Sequence, residues 1–279
     1  MKIDIYHAID PVRFKQMSTA EIRQSFLIGH LFKTGEMVLS YSHVDRAVVG
    51  SAVPAGKKLK LEASKEEFAA DFFAQRREIG VMNIGGGGTV TVDGNAYSMD
   101  NRDVLYISRG SREIWFKSDE KKQPARFYIV SYPAHAAYPT TLVKKEDAAS
   151  VDLGSQEQAN KRTIYKYIHP GGVKSCQLVM GFTQLEAGSV WNTMSPHTHI
   201  RRSEIYMYFD VAPGDAVFHF MGEPSETRNV VIRDGQAVIS PVWSIHAGAG
   251  TRNYAFVWSM GGENQDFDDM DFVDVDHLL

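Results

Sequence analysis

Between Ser195 and Tyr208 the chain reads SPHTHIRRSEIYMY, which sets His197, His199 and Glu204 within a few residues of one another. Side chains alternate along a strand, so His197 and His199 would share one face with Thr198 on the other. After a tight turn through IRRS, Glu204 can return beside them on the next strand. A third imidazole, His246, lies in SPVWSIHAGAG, where a turn marked by proline and glycine delivers it from a distant strand. Three imidazoles and a carboxylate form a borderline donor set suited to zinc, iron, nickel, copper or manganese. A histidine pair at this spacing also occurs on ordinary strand surfaces. Coincidence becomes harder with Glu204 added and His246 placed by the run from Gly235 through Pro241.

Such a constellation needs a rigid frame, and most of the chain reads as short strands. EMVLSYSHV, RAVVGSAV, TVTVDG, DVLYIS, EIWFKS, RFYIVSY, CQLVMGFTQL, EIYMYFDV, AVFHFMG, AVISP and YAFVWSM are broken by Gly, Asp-Gly, Asn or Pro, the pattern of an all-β sandwich or barrel. Two helices precede or interrupt them. STAEIRQSFLIGHLF opens with Ser18 and Glu21 at capping-box spacing, and SKEEFAADFFAQRREIG opens with Ser64 as the expected cap and Glu66 and Glu67 in the first turn. The polar stretch PTTLVKKEDAASVDLGSQEQANKRT reads as a connector, which puts a boundary near residue 150 and domains at 1–150 and 151–279. The two halves share a layout of turn, strand, small-residue turn and strand, so a duplicated barrel is expected. Aligning AQRREIGV with IRRSEIYM sets Glu78 at the place of Glu204, but Asp71 and Phe73 stand where histidines would be, and Glu113 where His246 would be. The first barrel should therefore have the shape without the metal. IGGGG, Ile84–Gly88, precedes no helix and ends in no Lys-Ser/Thr, so turn or close strand packing is expected rather than phosphate binding.

Bulk properties narrow the class. The 279 residues are 43% hydrophobic and carry a net charge of −4, too near neutral for binding driven by nucleic-acid or membrane phosphates. The lone Cys176 excludes an internal disulfide framework and fits a reducing compartment, with an inert buried thiol expected. MKIDIYHAIDPVRF lacks the build of a signal peptide and no apolar run reaches membrane-spanning length, so a soluble cytoplasmic protein is expected. The acidic C-terminal QDFDDMDFVDVDHLL reads as a solvated tail.

HTHIRRSE followed by GQAVISPVWSIH resembles the two metal motifs of the cupin superfamily, with Trp243 where glycine often stands. The fold implied is mainly β: two cupin-like barrels of the double-stranded β-helix or jelly-roll kind, with a few short helices. Longer stretches, RREIGVMNIGGGGTVTVDG, PAHAAYPT, VWNTMSPHTHIRRSEIYMYF, QAVISPVWSIHAGAGT and GENQDFDDMD, are similar to the 5-keto-4-deoxyuronate isomerase family from about Phe26 to the C-terminus. That resemblance implies a zinc-containing homo-hexamer acting in pectin and uronate catabolism. It would convert 5-dehydro-4-deoxy-D-glucuronate into 3-deoxy-D-glycero-2,5-hexodiulosonate, an aldose–ketose isomerisation. It also implies that one zinc ion per subunit is held by His197, His199, Glu204 and His246.

The chemistry needs a proton moved from C2 to C1 while a cation polarises the carbonyl, or alternatively a hydride shift. Tyr206 and Tyr208 share the parity of Glu204, and Tyr206, the nearer, is the candidate for proton relay or hydroxyl binding; barrel packing is the alternative. The substrate carboxylate calls for a guanidinium or ammonium. Arg201 and Arg202, in the turn between ligand strands, are the candidates, with Arg162 and Lys166 as further options. His219 alternates with phenylalanines and reads as a satisfied polar residue rather than a fifth ligand. An iron-dependent cupin dioxygenase and a non-catalytic sugar-binding cupin remain open at this stage.

Overall fold

Ser18 and Glu21 cap a helix as their spacing predicts. Helix Thr19–Phe26 begins at Ser18, whose N–H donates to Glu21 Oε2 at 2.7 Å while the Glu21 N–H donates to Ser18 Oγ at 3.3 Å. The computed structural model describes residues 3–63 and 65–279, so the second expected cap, Ser64, lies outside the described residues. The helix expected after it does not form as one piece. One helical turn, Lys65–Phe68, stops at Ala69 with φ 47°, a 3-10 turn covers Phe73–Gln75, and Arg77–Asn83 is a strand. Its apolar spacing is overridden by burial: Arg77–Asn83 is buried throughout and pairs with Phe127–Pro133 on one edge and Val104–Ile107 on the other.

The chain is mainly β, as expected, and splits into two compact units. The chain changes unit between Ala149 and Ser150 and at four other points. The first unit takes His30–Ala149 and Tyr167–Val179 with the described residues up to Ile5; the second takes Tyr6–Gly29, Ser150–Lys166 and Met180–Leu279. Side-chain chemistry explains why Tyr6–Gly29 belongs with the C-terminal residues. Leu27–Ile28 adds an edge strand to Gln236–Ser240, and Phe14 and Phe26 pack on Trp243 with ring centroids 5.1 and 6.4 Å away. The Trp243 Nε1–H donates to Ile9 O at 3.2 Å. Trp243, standing where the motif often has glycine, thus anchors the N-terminal segment. The expected connector also contains strands, Thr141–Val143 and Ala149–Leu153, each at the edge of a sheet.

Each unit has a seven-stranded and a four-stranded antiparallel sheet with matching strand order. In the first unit the larger sheet runs Met37–Ser42, Val48–Ala52, Phe127–Pro133, Arg77–Asn83, Val104–Ile107. In the second it runs Arg162–Ile168, Val179–Leu185, Ala255–Gly262, Arg202–Phe209, Gln236–Ser240. Arg77–Asn83 and Arg202–Phe209 thus occupy the same place in their sheets, as the alignment of Glu78 with Glu204 requires. The glycines of Ile84–Gly88 serve close packing: a Cβ at Gly85 would lie 2.5 Å from Arg126 N, and one at Gly88 2.6 Å from Lys117 O. Among the described residues no helix is long and apolar enough to cross a membrane.

Glu78 shows what the first unit does with its buried carboxylate. It accepts the backbone N–H groups of Cys176, Gln177 and Leu178 at 2.7, 2.9 and 2.9 Å and the Tyr106 hydroxyl at 3.0 Å. These donors belong to the same unit and explain why Tyr167–Val179 joins it. Glu113 is exposed and pairs with Lys60, Asp71 is exposed and pairs with Lys65, and Phe73 is core. Cys176 is half-buried, its thiol donating to Ala136 O at 3.3 Å.

Candidate metal centre

Four short segments of the second unit converge. His197 sits on the two-residue strand His197–Thr198, which pairs with Asp271–Phe272, and His199 follows in the turn. Glu204 is on Arg202–Phe209, where its partners are Ser240 and Met260 on the flanking strands. His246 is on Ile245–Gly250, opposite Met221. All four side chains are buried, and their donor atoms lie within 4.8 Å of one another. His197 Nε2 is 3.1 Å from His199 Nε2 and 3.0 Å from His246 Nε2, while Glu204 Oε2 is 3.1 Å from His199 Nε2 and 2.9 Å from His246 Nε2.

The donor chemistry of this cluster fits a cation. His199 Nδ1 lies 2.5 Å from the Asp269 carbonyl, which can only accept, so Nδ1 carries a proton. In the neutral ring Nε2 is then a bare lone pair aimed at another imidazole nitrogen and a carboxylate oxygen. Burial, then His246, pushes His197 down to about 2, so its ring is neutral at physiological pH. Convergent lone pairs and a carboxylate out of water repel unless a positive charge sits between them.

Three of the four donors, His197, His199 and Glu204, line one wall of a cavity of about 250 Å³. Ile164, Phe256, Trp258, Met260, Phe267, Met270 and Phe272 make its apolar walls, with Thr183, Thr193, Tyr206 and Arg162 as polar groups. That volume lies below the roughly 300–1,000 Å³ of sites for drug-sized ligands, so the cavity suits a small metabolite. Tyr206 lines it, its hydroxyl 2.9 Å from Thr193 Oγ1 and its ring 5.5 Å from that of His246. Burial and then Glu204 hold its phenol well above the ordinary value, so it keeps its proton at neutral pH. Tyr208 shares the parity but does not line the cavity: its hydroxyl meets His219 Nδ1 at 2.7 Å. His219 is buried, its Nε2 is 3.3 Å from Ser240 Oγ, and burial lowers it to about 3.

The two arginines expected to meet substrate are placed elsewhere. Arg201 pairs with Asp269 and with Asp271, the latter at 2.9 Å, and the buried Arg202 reaches Asn264 Oδ1 and the carbonyls of Asp266, Phe267 and Asp269. Neither lines the cavity. The acidic stretch read as a solvated tail is therefore, in its first part, the partner of these arginines. Lys166 lies over the Phe267 ring at 4.4 Å. Arg162 does line the cavity; its Nη1 donates to Asn160 O at 2.8 Å, and no carboxylate among the described residues pairs with it. Sequence spacing favoured Arg201 and Arg202 because they neighbour the ligands, whereas Arg162 arrives from a separate strand, Arg162–Ile168.

The sequence model of the KduI/IolB family matches residues 27–276. The chain belongs to the KduI/IolB family. It is 54% identical over 276 residues to the 4-deoxy-L-threo-5-hexosulose-uronate ketol-isomerase of Lachnoclostridium phytofermentans, covering 99% of this chain and 100% of that one. It is 50% identical to the enzyme of the same name from Shouchella clausii, again over 99% and 100%. As a member of this family at such coverage, the chain is an enzyme of the isomerase class. Among solved structures, an IolB-like protein from Salmonella typhimurium matches with a TM-score of 0.71 at 12% identity, covering 89% of this chain and 96% of that one. A Lactobacillus farciminis oxalate decarboxylase matches with a TM-score of 0.55 at 10% identity over 78% of each chain. These two likenesses show the shared cupin-like fold.

Proposed function

We propose that the chain is a 4-deoxy-L-threo-5-hexosulose-uronate ketol-isomerase of pectin and uronate breakdown, with one zinc ion held by His197, His199, Glu204 and His246. It would work in the cytoplasm as a homo-hexamer and interconvert 5-dehydro-4-deoxy-D-glucuronate and 3-deoxy-D-glycero-2,5-hexodiulosonate. One observation carries the reading: four buried donors converge, and three of them line a small cavity that also holds a guanidinium, Arg162, with no carboxylate partner among the described residues. Such a cavity suits a small acid with a carbonyl at its other end.

A bound divalent cation supplies a Lewis acid that draws electron density from the substrate's carbonyl group. The chain's own residues do the rest. Arg162 holds the carboxylate and so orients the sugar chain, a fork-to-carboxylate contact that sets register as well as affinity. Tyr206 keeps its phenolic proton, so it donates to a substrate oxygen, and Thr193 orients that hydroxyl. Trp258, Phe256 and Met260 exclude water, which limits loss of the proton moved between C2 and C1.

Metal-replete protein incubated with the keto-deoxyuronate is expected to form the diketo acid, to stop after chelation, and to resume when one equivalent of zinc is restored. No conversion by a sample with a full metal complement overturns the proposal.

A further inference from the structure

The run from Glu263 to Phe272 follows the last long strand, Ala255–Gly262, and turns back over the ligand-bearing turn. It touches that turn at many points. The Glu263 N–H donates to Arg201 O at 3.0 Å, the Val273 N–H to Pro196 O at 2.9 Å, and Asp271–Phe272 pairs with His197–Thr198. Asp269 is the centre of the arrangement. Its backbone carbonyl accepts from His199 Nδ1 at 2.5 Å, while its carboxylate is gripped by the Arg201 guanidinium and accepts from Asn264 Nδ2 at 2.6 Å. The same run sends Phe267, Met270 and Phe272 into the cavity wall.

We propose that Glu263–Phe272 is a strap that retains the metal, latched by Asp269 and Arg201, with Asp269 as the positioning residue for His199. The inference rests on the metal reading given above and deepens it. An imidazole ligand needs its second nitrogen bonded to fix the tautomer and aim the first, and losing such an outer partner typically costs about 10- to 100-fold in metal affinity. Here that partner is a main-chain carbonyl, so no single side chain replaces it, and its position depends on the Arg201–Asp269 ion pair. Because the strap also makes cavity wall, loosening it should weaken metal retention and substrate binding together.

The test is the rate at which zinc passes from the full-length holoprotein to a chromogenic chelator, with zinc stoichiometry by elemental analysis and the unfolding midpoint of the metal-free protein alongside. Asp269→Asn and Arg201→Ala are each expected to release zinc about 10- to 100-fold faster. The double variant should be no worse than the worse single one, Arg201→Lys should recover part of the loss, and the metal-free midpoint should stay near that of the wild type. Release at the wild-type rate from both single variants overturns the strap, as does a fall in the metal-free midpoint large enough to account for the loss. A wild-type chain that binds no divalent metal overturns the metal reading itself, and so the two failures are told apart.

Discussion

Glu204 and Glu78 occupy matching strands in two copies of one sheet order, and their neighbours decide what each does. Glu204 faces imidazole nitrogens whose lone pairs converge with its own, a set that a cation would complete. Glu78 faces three main-chain N–H groups and a phenol, which fill its lone pairs with neutral donors. The clustering of these four donors was legible because side-chain parity and motif spacing are local properties. The arginine that lines the cavity was less so. Arg201 and Arg202 sit closer in sequence to the ligands, but their charges are taken up by Asp269, Asp271 and a row of carbonyls. Arg162 is the residue to test. Arg162→Ala should lower kcat/KM about 10- to 100-fold, mostly through KM, as expected for losing a charged hydrogen-bonding pair of about 1.5–3 kcal/mol. Steady-state kinetics with the metal content measured in parallel decide it, and an unchanged KM removes Arg162 from the site.

At the scale of elements, a helix whose signals are local forms and one whose signals conflict with tertiary pairing does not. Ser18 and Glu21 satisfy each other within one turn. The Ser18 backbone and hydroxyl, then Arg13, lower the Glu21 carboxyl to about 2. Because the folded value is depressed below the usual carboxylate value near 4.3, the contribution to stability is present above about pH 4 and lost as pH falls towards 2. Carboxyl-carbon NMR should place the Glu21 midpoint close to 2; Ser18→Ala should raise it and reduce stability by about 1 kcal/mol, read by urea unfolding. Residues 65–80, by contrast, carry helical spacing but supply the buried strand Arg77–Asn83, since a central strand bonded on both edges gains more than an exposed helix.

On the scale of the whole chain, the buried carboxylates Glu78 and Glu204 are fixed in different ways, and this predicts a difference in how each unit responds to chelation. At a free metal concentration of 100 times Kd, binding adds about 2.7 kcal/mol to the second unit's stability. Urea unfolding with and without chelator should show that loss for the wild type. Glu78→Ala leaves three N–H groups and the Tyr106 hydroxyl without this acceptor, and at about 1–3 kcal/mol for each group left unpaired the loss should be at least about 3 kcal/mol, with chelator or without it. A Glu78→Ala protein as stable as the wild type would show that those amides find other partners.

Residue types and their spacing sufficed for the β class, the paired barrels, the capped helix Thr19–Phe26 and the clustering of His197, His199, Glu204 and His246, because alternation, capping and turn chemistry act over a few residues. Tertiary structure alone decided which unit holds Tyr6–Gly29, that the acidic stretch at Asp266–Asp271 is an ion-paired strap, and which arginine faces the cavity. Those outcomes depend on contacts such as Phe14 with Trp243 or Arg201 with Asp269, whose members are far apart in the chain. Their energies come from burial and from pairing of charges, and these exist only once the strands have brought the partners together.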